Sequence, residues 1–174
     1  TDATRGTTPI RQPMDNLSAA KSAYSNIVYS KAPAILRQAE YFLGESKFRA
    51  GMRDFLSRYA YKNADWNQLL QSLELASGIK LSAWGEAWVD REGMPRVRVT
   101  PRLDKSGKLT RIEITQTGVH DSTTMRNTPR KDTGALWPMK LRLQIQSEGL
   151  LRSYPVVLAT RATSVSLRNV GKPQ

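Results

Sequence analysis

Cysteine is absent from the 174 residues, and histidine occurs once. Without thiols there is no disulfide, no thiolate nucleophile and no Cys-based metal site, and nothing follows about the redox state of the compartment. A single imidazole, His120 in the polar run VHDSTT, cannot form the multi-histidine cluster of a zinc site or a plausible catalytic triad. It reads as a solvated loop residue. Apolar runs are short. None approaches the ~18 consecutive apolar residues of a membrane-spanning helix, and the opening TDATRGTTPI lacks the apolar segment of a signal peptide. Acidic residues are sparse in one half only: residues 94–174 hold 5 Asp+Glu against 15 Lys+Arg, whereas residues 1–93 hold 10 against 12. The net +12 therefore divides into +10 and +2. Such asymmetry admits nucleic acid or an acidic surface as a partner. Here the basic residues are scattered and not interleaved with stacking aromatics, so nucleic acid is disfavoured. The wet faces of half-buried strands account for them.

What is present suits one or two small globular domains: 39% hydrophobic residues, 11 Gly and 9 Pro. The chain opens on Thr rather than Met, and its first twenty residues lack periodicity, so it reads as a segment of a longer protein. Leu17, Ala20, Tyr24 and Ile27 or Val28 then recur at helical intervals. Ser30 suits an N-cap with Pro33 in the first turn, followed by Ala32, Ile35, Leu36, Ala39 and Leu43, and Gly44 ends the helix. A second helix is expected over FRAGMRDFLSRYAY, with Phe48, Met52, Phe55, Leu56 and Tyr59 on one stripe and Arg49, Arg53, Asp54 and Arg58 off it. Asn63 or Asp65 can cap a third, whose stripe is Trp66, Leu69, Leu70, Leu73 and Ala76, closed by Gly78. Ser82 opens a short fourth, SAWGEAWVDREG, in which Trp84 and Trp88 share a face as core residues.

At Gly93 the period changes from about 3.6 to 2. RVRVT, TRIEIT, WPMKLRLQIQ, LLRSYPVVLAT and TSVSL each alternate as strands, with DKSG and SEG as turns and HDSTTMRNTPRKDTG as a polar loop. The fold class is thus α then β, with residues 1–93 helical and residues 94–174 a small antiparallel β-sandwich. No Gly-rich phosphate loop, metal-ligand spacing or scaffolded carboxylate pair is present, and Glu40, Glu45, Asp90 and Glu92 read as surface residues.

One stretch carries more. IVYSKAPAIL, residues 27–36, resembles the hydrophobic-x-Tyr-x-Lys-Gly element of M1-family zinc aminopeptidases. TTPI at 7–10 resembles that family's Thr/Ser-x-Pro-Ile lead, YFLGESKFRAGMRDFLSRYAYKNADWNQLLQSLELASG its Leu-Gly-Glu, Phe, Gly, Tyr, Asn, Asp/Leu succession, and LSAWGEAWVDREGMPRVRV its Trp…Trp…Gly-x-Pro ending. The ordered combination covers residues 7–100 and is more specific than any element alone.

The resemblance implies that residues 1–93 are the helical C-terminal part of a thermolysin-like catalytic domain and that residues 94–174 are the β-sandwich after it. It implies zinc in the parent protein, a metal-bound water attacking the peptide bond next to a free N-terminus, and a glutamate as general base. It assigns the phenol of the Tyr-x-Lys element to the oxyanion of the tetrahedral intermediate, and that residue is Tyr29. A phenol, with an ordinary pKa of about 10, keeps its proton at neutral pH and can donate where negative charge grows. Read without the family, Tyr29 is a core or interface tyrosine. Ala32 and Pro33 stand where the family has Gly and a small residue, and His-Glu-x-x-His is absent, so this chain is expected to bind no catalytic zinc and to be inactive alone. Its expected partners are the remainder of the catalytic domain and, in the parent, a peptide substrate. The alternatives are a basic β-rich module binding nucleic acid or acidic partners, and a non-catalytic M1-like scaffold. The compartment stays open.

Overall fold

A computed structural model describes residues 7–24, 26–119, 135–147 and 149–167. His120 and the polar loop expected after it lie outside these. The chain divides into two compact units, one spanning Thr8–Glu92 and the other holding Thr7 with the residues from Gly93 on. Helices fill the first and antiparallel strands the second, the α-then-β order that the change of period announces.

The first unit starts with an irregular lead, 8–15, and helix α1, Leu17–Ala23. Asn16 is its N-cap, with extended backbone and a side-chain oxygen accepting from the Ala19 amide. A π-helical turn, Ile27–Lys31, follows and runs directly into α2, Ala32–Leu43. Here the structure corrects the expected helix start. Ser30 is no N-cap, because it already lies inside the π turn, and the Ala32 amide donates to the Ile27 carbonyl five residues back. The ladder is therefore continuous where the sequence suggests a break.

Gly44, at φ +89, separates α2 from α3, Glu45–Arg58. A left-handed φ of this kind needs glycine. α3 begins three residues earlier than its apolar stripe suggests, and Leu56, which the stripe includes, is exposed. Its off-stripe charges form i,i+4 pairs, Arg49 with Glu45 and Arg58 with Asp54. Helix α4, Trp66–Ser77, is capped by Asp65 in a capping box: Asp65 Oδ1 accepts from the Gln68 amide at 2.9 Å, and Gln68 Oε1 accepts from the Asp65 amide at 2.8 Å. Gly78 ends α4 in the left-handed conformation. The fourth helical segment is shorter than expected and changes type, from one α turn, α5 (Ser82–Gly85), to a π turn, Glu86–Asp90.

These helices close over Ala39, Leu43, Leu73, Leu81 and Trp84, with Phe48, Met52, Trp66, Leu70 and Trp88 packed around them. Burying each large apolar side chain stabilises by roughly 1.5–3 kcal/mol. The Trp84 ring lies 6.5 Å from both Trp66 and Trp88, so the paired tryptophans serve the core. α3 crosses α4 at Gly51, where a Cβ would sit 2.8 Å from Leu73 Cδ2 and 2.9 Å from Leu73 Cα.

In the second unit, β1 (Pro95–Leu103), β2 (Leu109–Gly118) and β5 (Ala162–Ser166) form one sheet in the order β1-β2-β5. β3 (Met139–Ser147) pairs with β4 (Leu150–Leu158) in another. All pairings are antiparallel. The expected DKSG turn is held by Asp104, whose Oδ1 accepts from the Ser106 hydroxyl (2.7 Å), the Ser106 amide (2.8 Å) and the Lys108 amide (3.0 Å). Alternation buries Ile112, Ile114 and Gln116 on β2 and turns Arg111 out. Gln116 is a buried polar residue with both ends satisfied. Its Nε2 donates to the Thr160 carbonyl at 2.9 Å, and its Oε1 accepts from the Trp137 amide at 2.9 Å.

Candidate functional site

Tyr29 is 68% exposed, on a π turn that buries none of its own residues. Its position therefore does not come from burial, and it is not the core tyrosine that the residues alone would allow. The ring instead meets that of Tyr24 edge to face, with centroids 5.6 Å apart and planes at 82°. Tyr24 is itself 67% exposed, so two phenols stand together at the surface of this unit.

The turn is tied to the lead. Lys31, at its C-terminal end, donates from Nζ to the Thr8 carbonyl at 2.7 Å. The lead is in turn tied to the second π turn, where the Val89 carbonyl accepts from the Ile10 amide at 3.0 Å and the Arg11 amide at 3.1 Å. Carbonyls at the end of a helical segment have no partner within it, and here two lead amides supply one. Arg11 Nε adds an ion pair to Asp90 Oδ1 at 2.7 Å. Asp90, a surface carboxylate in the sequence reading, thus has a specific role in fixing the lead.

Three sequence landmarks therefore converge: TTPI, the Tyr-x-Lys turn and the segment after Trp88. Sequence reasoning finds Tyr29, with Lys31 in the same element. It missed Tyr24 as a ring partner and the Arg11–Asp90 pair, whose members are far apart in the chain and carry no local spacing signal.

Nothing in this arrangement is a metal centre. Among the described residues there is no group of three or more His, Cys, Asp or Glu that could hold a metal ion. Nor is any described helix long and apolar enough to cross a membrane. What the arrangement offers chemically is a hydroxyl donor, exposed and presented from a turn tied through Lys31 to a lead that is itself fixed at Val89 and Asp90.

Comparison with known proteins agrees with the landmarks. The Peptidase family M1 domain matches residues 1–88. The chain is 31% identical to the puromycin-sensitive aminopeptidase of Caenorhabditis elegans over 112 residues, which cover 64% of this chain and 12% of that protein. It is 30% identical to the Tricorn protease-interacting factor F2 of Thermoplasma volcanium over 142 residues, 82% of this chain and 16% of that one. The chain thus spans less than a fifth of the length of these relatives. In three dimensions it aligns with Legionella pneumophila aminopeptidase A, solved in complex with aspartic acid, at a TM-score of 0.72 over 94% of this chain and 18% of that one. At 17% identity that likeness speaks for the fold alone. With half of its length matched by the family domain and the landmark residues in order, the chain belongs to peptidase family M1.

Proposed function

We propose that this chain serves within a zinc aminopeptidase that removes N-terminal residues from peptides, and that its contribution to the chemistry is the Tyr29 hydroxyl. Residues 1–93 then act as the helical C-terminal part of a thermolysin-like catalytic domain, and residues 94–174 as a β-sandwich domain following it. The observation that carries this reading is the exposure of Tyr29 on a braced turn inside the segment that the family domain matches. A donor to a developing oxyanion has to be accessible, protonated and held still before the charge appears.

The family implies zinc, and the residues present here do not fit it. The described residues lack a ligand cluster, and the sequence has one histidine. Metal ligands and general base would belong to other residues of the catalytic domain, whose association with this chain the proposal requires. What this chain does is present the phenol, whose O–H donates a hydrogen bond to the substrate oxygen as that oxygen gains negative charge.

Tyr29→Phe in the whole protein removes that donor and leaves the ring contact with Tyr24 in place. We expect kcat on aminoacyl chromogenic amides to fall roughly 10²–10³-fold, with KM much less affected because the bond forms in the transition state. Wild-type kcat in the Phe variant overturns the assignment. The isolated 174-residue chain is expected to turn over none of these amides even with added zinc, and chelator-sensitive turnover by it contradicts the proposal.

A further inference from the structure

The Tyr29 turn poses a mechanical problem. A π turn is a rare variant of the helical ladder, and α2, which follows it directly, is α-helical. None of its five residues is buried and no side chain caps it. The Tyr24 ring offers one contact, but Tyr24 is as exposed as Tyr29. A hydroxyl that must meet a reacting oxygen within a fraction of an ångström needs firmer support.

The lead can supply it. Downstream, the lead is fixed to the second π turn by two amides on one carbonyl and by the Arg11–Asp90 pair. Pro9 restricts the backbone between the two attachment points, and the Gln12 Nε2–H bond to the Pro9 carbonyl, at 3.0 Å, stiffens the same stretch. Upstream, the Thr8 carbonyl receives the Lys31 ammonium. That bond is charge-assisted, hence short and directional. Lys31 is two residues from Tyr29 in the same turn, so the lead joins the Tyr29 turn to the turn at Glu86–Asp90, which follows directly on the core residue Trp84 through α5.

We infer that Lys31 is a positioning residue for Tyr29: its ammonium, by holding the Thr8 carbonyl, fixes the π turn against the lead and so sets where the phenol points. The inference rests on the reading of Tyr29 as the oxyanion donor. Lysine suits the task because a four-carbon stem ending in a point charge can reach a backbone carbonyl without imposing a plane.

The test is a double-mutant cycle in the whole protein, with local hydrogen exchange as a second readout. Lys31→Met keeps the stem and removes the donor. We expect kcat to fall roughly 10- to 100-fold, KM to change little, and Lys31→Arg to recover most of the loss. Lys31→Met combined with Tyr29→Phe should be no slower than Tyr29→Phe alone, because a donor that is gone cannot be misplaced. Amide exchange across residues 26–32 should speed up in Lys31→Met. Lys47→Met is the control: Lys47 makes the same kind of bond, Nζ to the Ser77 carbonyl at 3.0 Å, away from Tyr29, and its loss should leave kcat and that exchange unchanged.

Losses that multiply in the double variant overturn the inference, since Lys31 would then act independently of Tyr29. So does a Lys31→Met variant with kcat within about twofold of wild type while Tyr29→Phe is slow. If Tyr29→Phe is itself as fast as wild type, the reading of Tyr29 fails first and takes this role of Lys31 with it. Should Lys31→Met not fold, Lys31→Gln, whose shorter stem cannot span the distance, takes its place under the same criteria.

Discussion

Removing the Gln116 side-chain amide should separate the price of an orphaned buried donor from that of an orphaned exposed acceptor. Gln116 is 1% exposed and holds two backbone groups on different segments, the Trp137 amide and the Thr160 carbonyl. In Gln116→Leu both lose their partner, but not equally. Thr160 is exposed, so water can take over its carbonyl, whereas the Trp137 bond is buried and out of the reach of bulk water. One buried donor left unsatisfied costs about 1–3 kcal/mol, and the leucine recovers part of that by burying apolar surface. We therefore expect a net loss of about 1–2 kcal/mol. Urea unfolding followed through the indole N–H resonance of Trp137 is the suitable assay, because Trp66, Trp84 and Trp88 report on the helical unit. With a urea dependence of about 1–3 kcal/mol per M, the midpoint should fall by roughly 0.3–2 M at unchanged slope. An unmoved midpoint refutes the reasoning, since it would mean that the Trp137 amide finds another acceptor at no cost. Gln116→Glu sharpens the test. It keeps an acceptor for Trp137, faces the Thr160 carbonyl with negative charge and buries a carboxylate, so its folded pKa is raised. Its stability relative to wild type should fall as pH rises above the unfolded value of about 4.3.

Two further outcomes can be checked in the same way. Gly51→Ala should destabilise the helical unit by roughly 1–3 kcal/mol in denaturant titrations, because the new methyl meets Leu73 backbone at 2.9 Å. Gly85→Ala should cost less, since its nearest neighbour, at 2.7 Å, is the end of the Leu70 side chain, which can turn away; equal losses would contradict the geometry. Asp104 is held below its ordinary pKa of 3.8 by its bond to the Ser106 hydroxyl and then by the Lys108 amide. A depressed folded pKa means that its contribution to the β1–β2 turn is present above the unfolded value and lost as pH falls through the folded one. Carboxyl carbon NMR should place its midpoint below 3.8, and a midpoint at or above that value would show that the turn bonds do not favour the charged form.

How far the sequence reveals this molecule depends on whether the deciding interaction is local. The helix stops at Gly44 and Gly78 are legible because only glycine readily takes the φ of +89 and +69 found there. The strands are legible because their residues alternate, and on β2 and β3 the alternation shows which face is buried, whereas Val99 on β1 is exposed; the tryptophans of the helical unit are legible because each lies on a helical stripe. The π turns are not. One residue added to a helical ladder leaves the flanking periodicity intact, and a serine before Ala-Pro mimics a cap, so Ser30 reads as a beginning when it is a continuation. Gly51 is silent for another reason: its need for a bare Cα exists only because Leu73 faces it. Tyr29 stands out through a family resemblance rather than through any periodicity. Its bracing lies further from view, since the carbonyl that Lys31 grips is 23 residues upstream.

The π turn at Ile27–Lys31 can also be regarded as an α-helix carrying one surplus residue. Deleting a single position there would let ordinary i→i−4 bonding resume, turning the residues before it relative to α2 by about 100° and drawing them in by about 1.5 Å. Backbone hydrogen bonding would survive such an edit while the phenol's heading would not. A three-nucleotide loss could thus re-aim this tyrosine without dismantling α2.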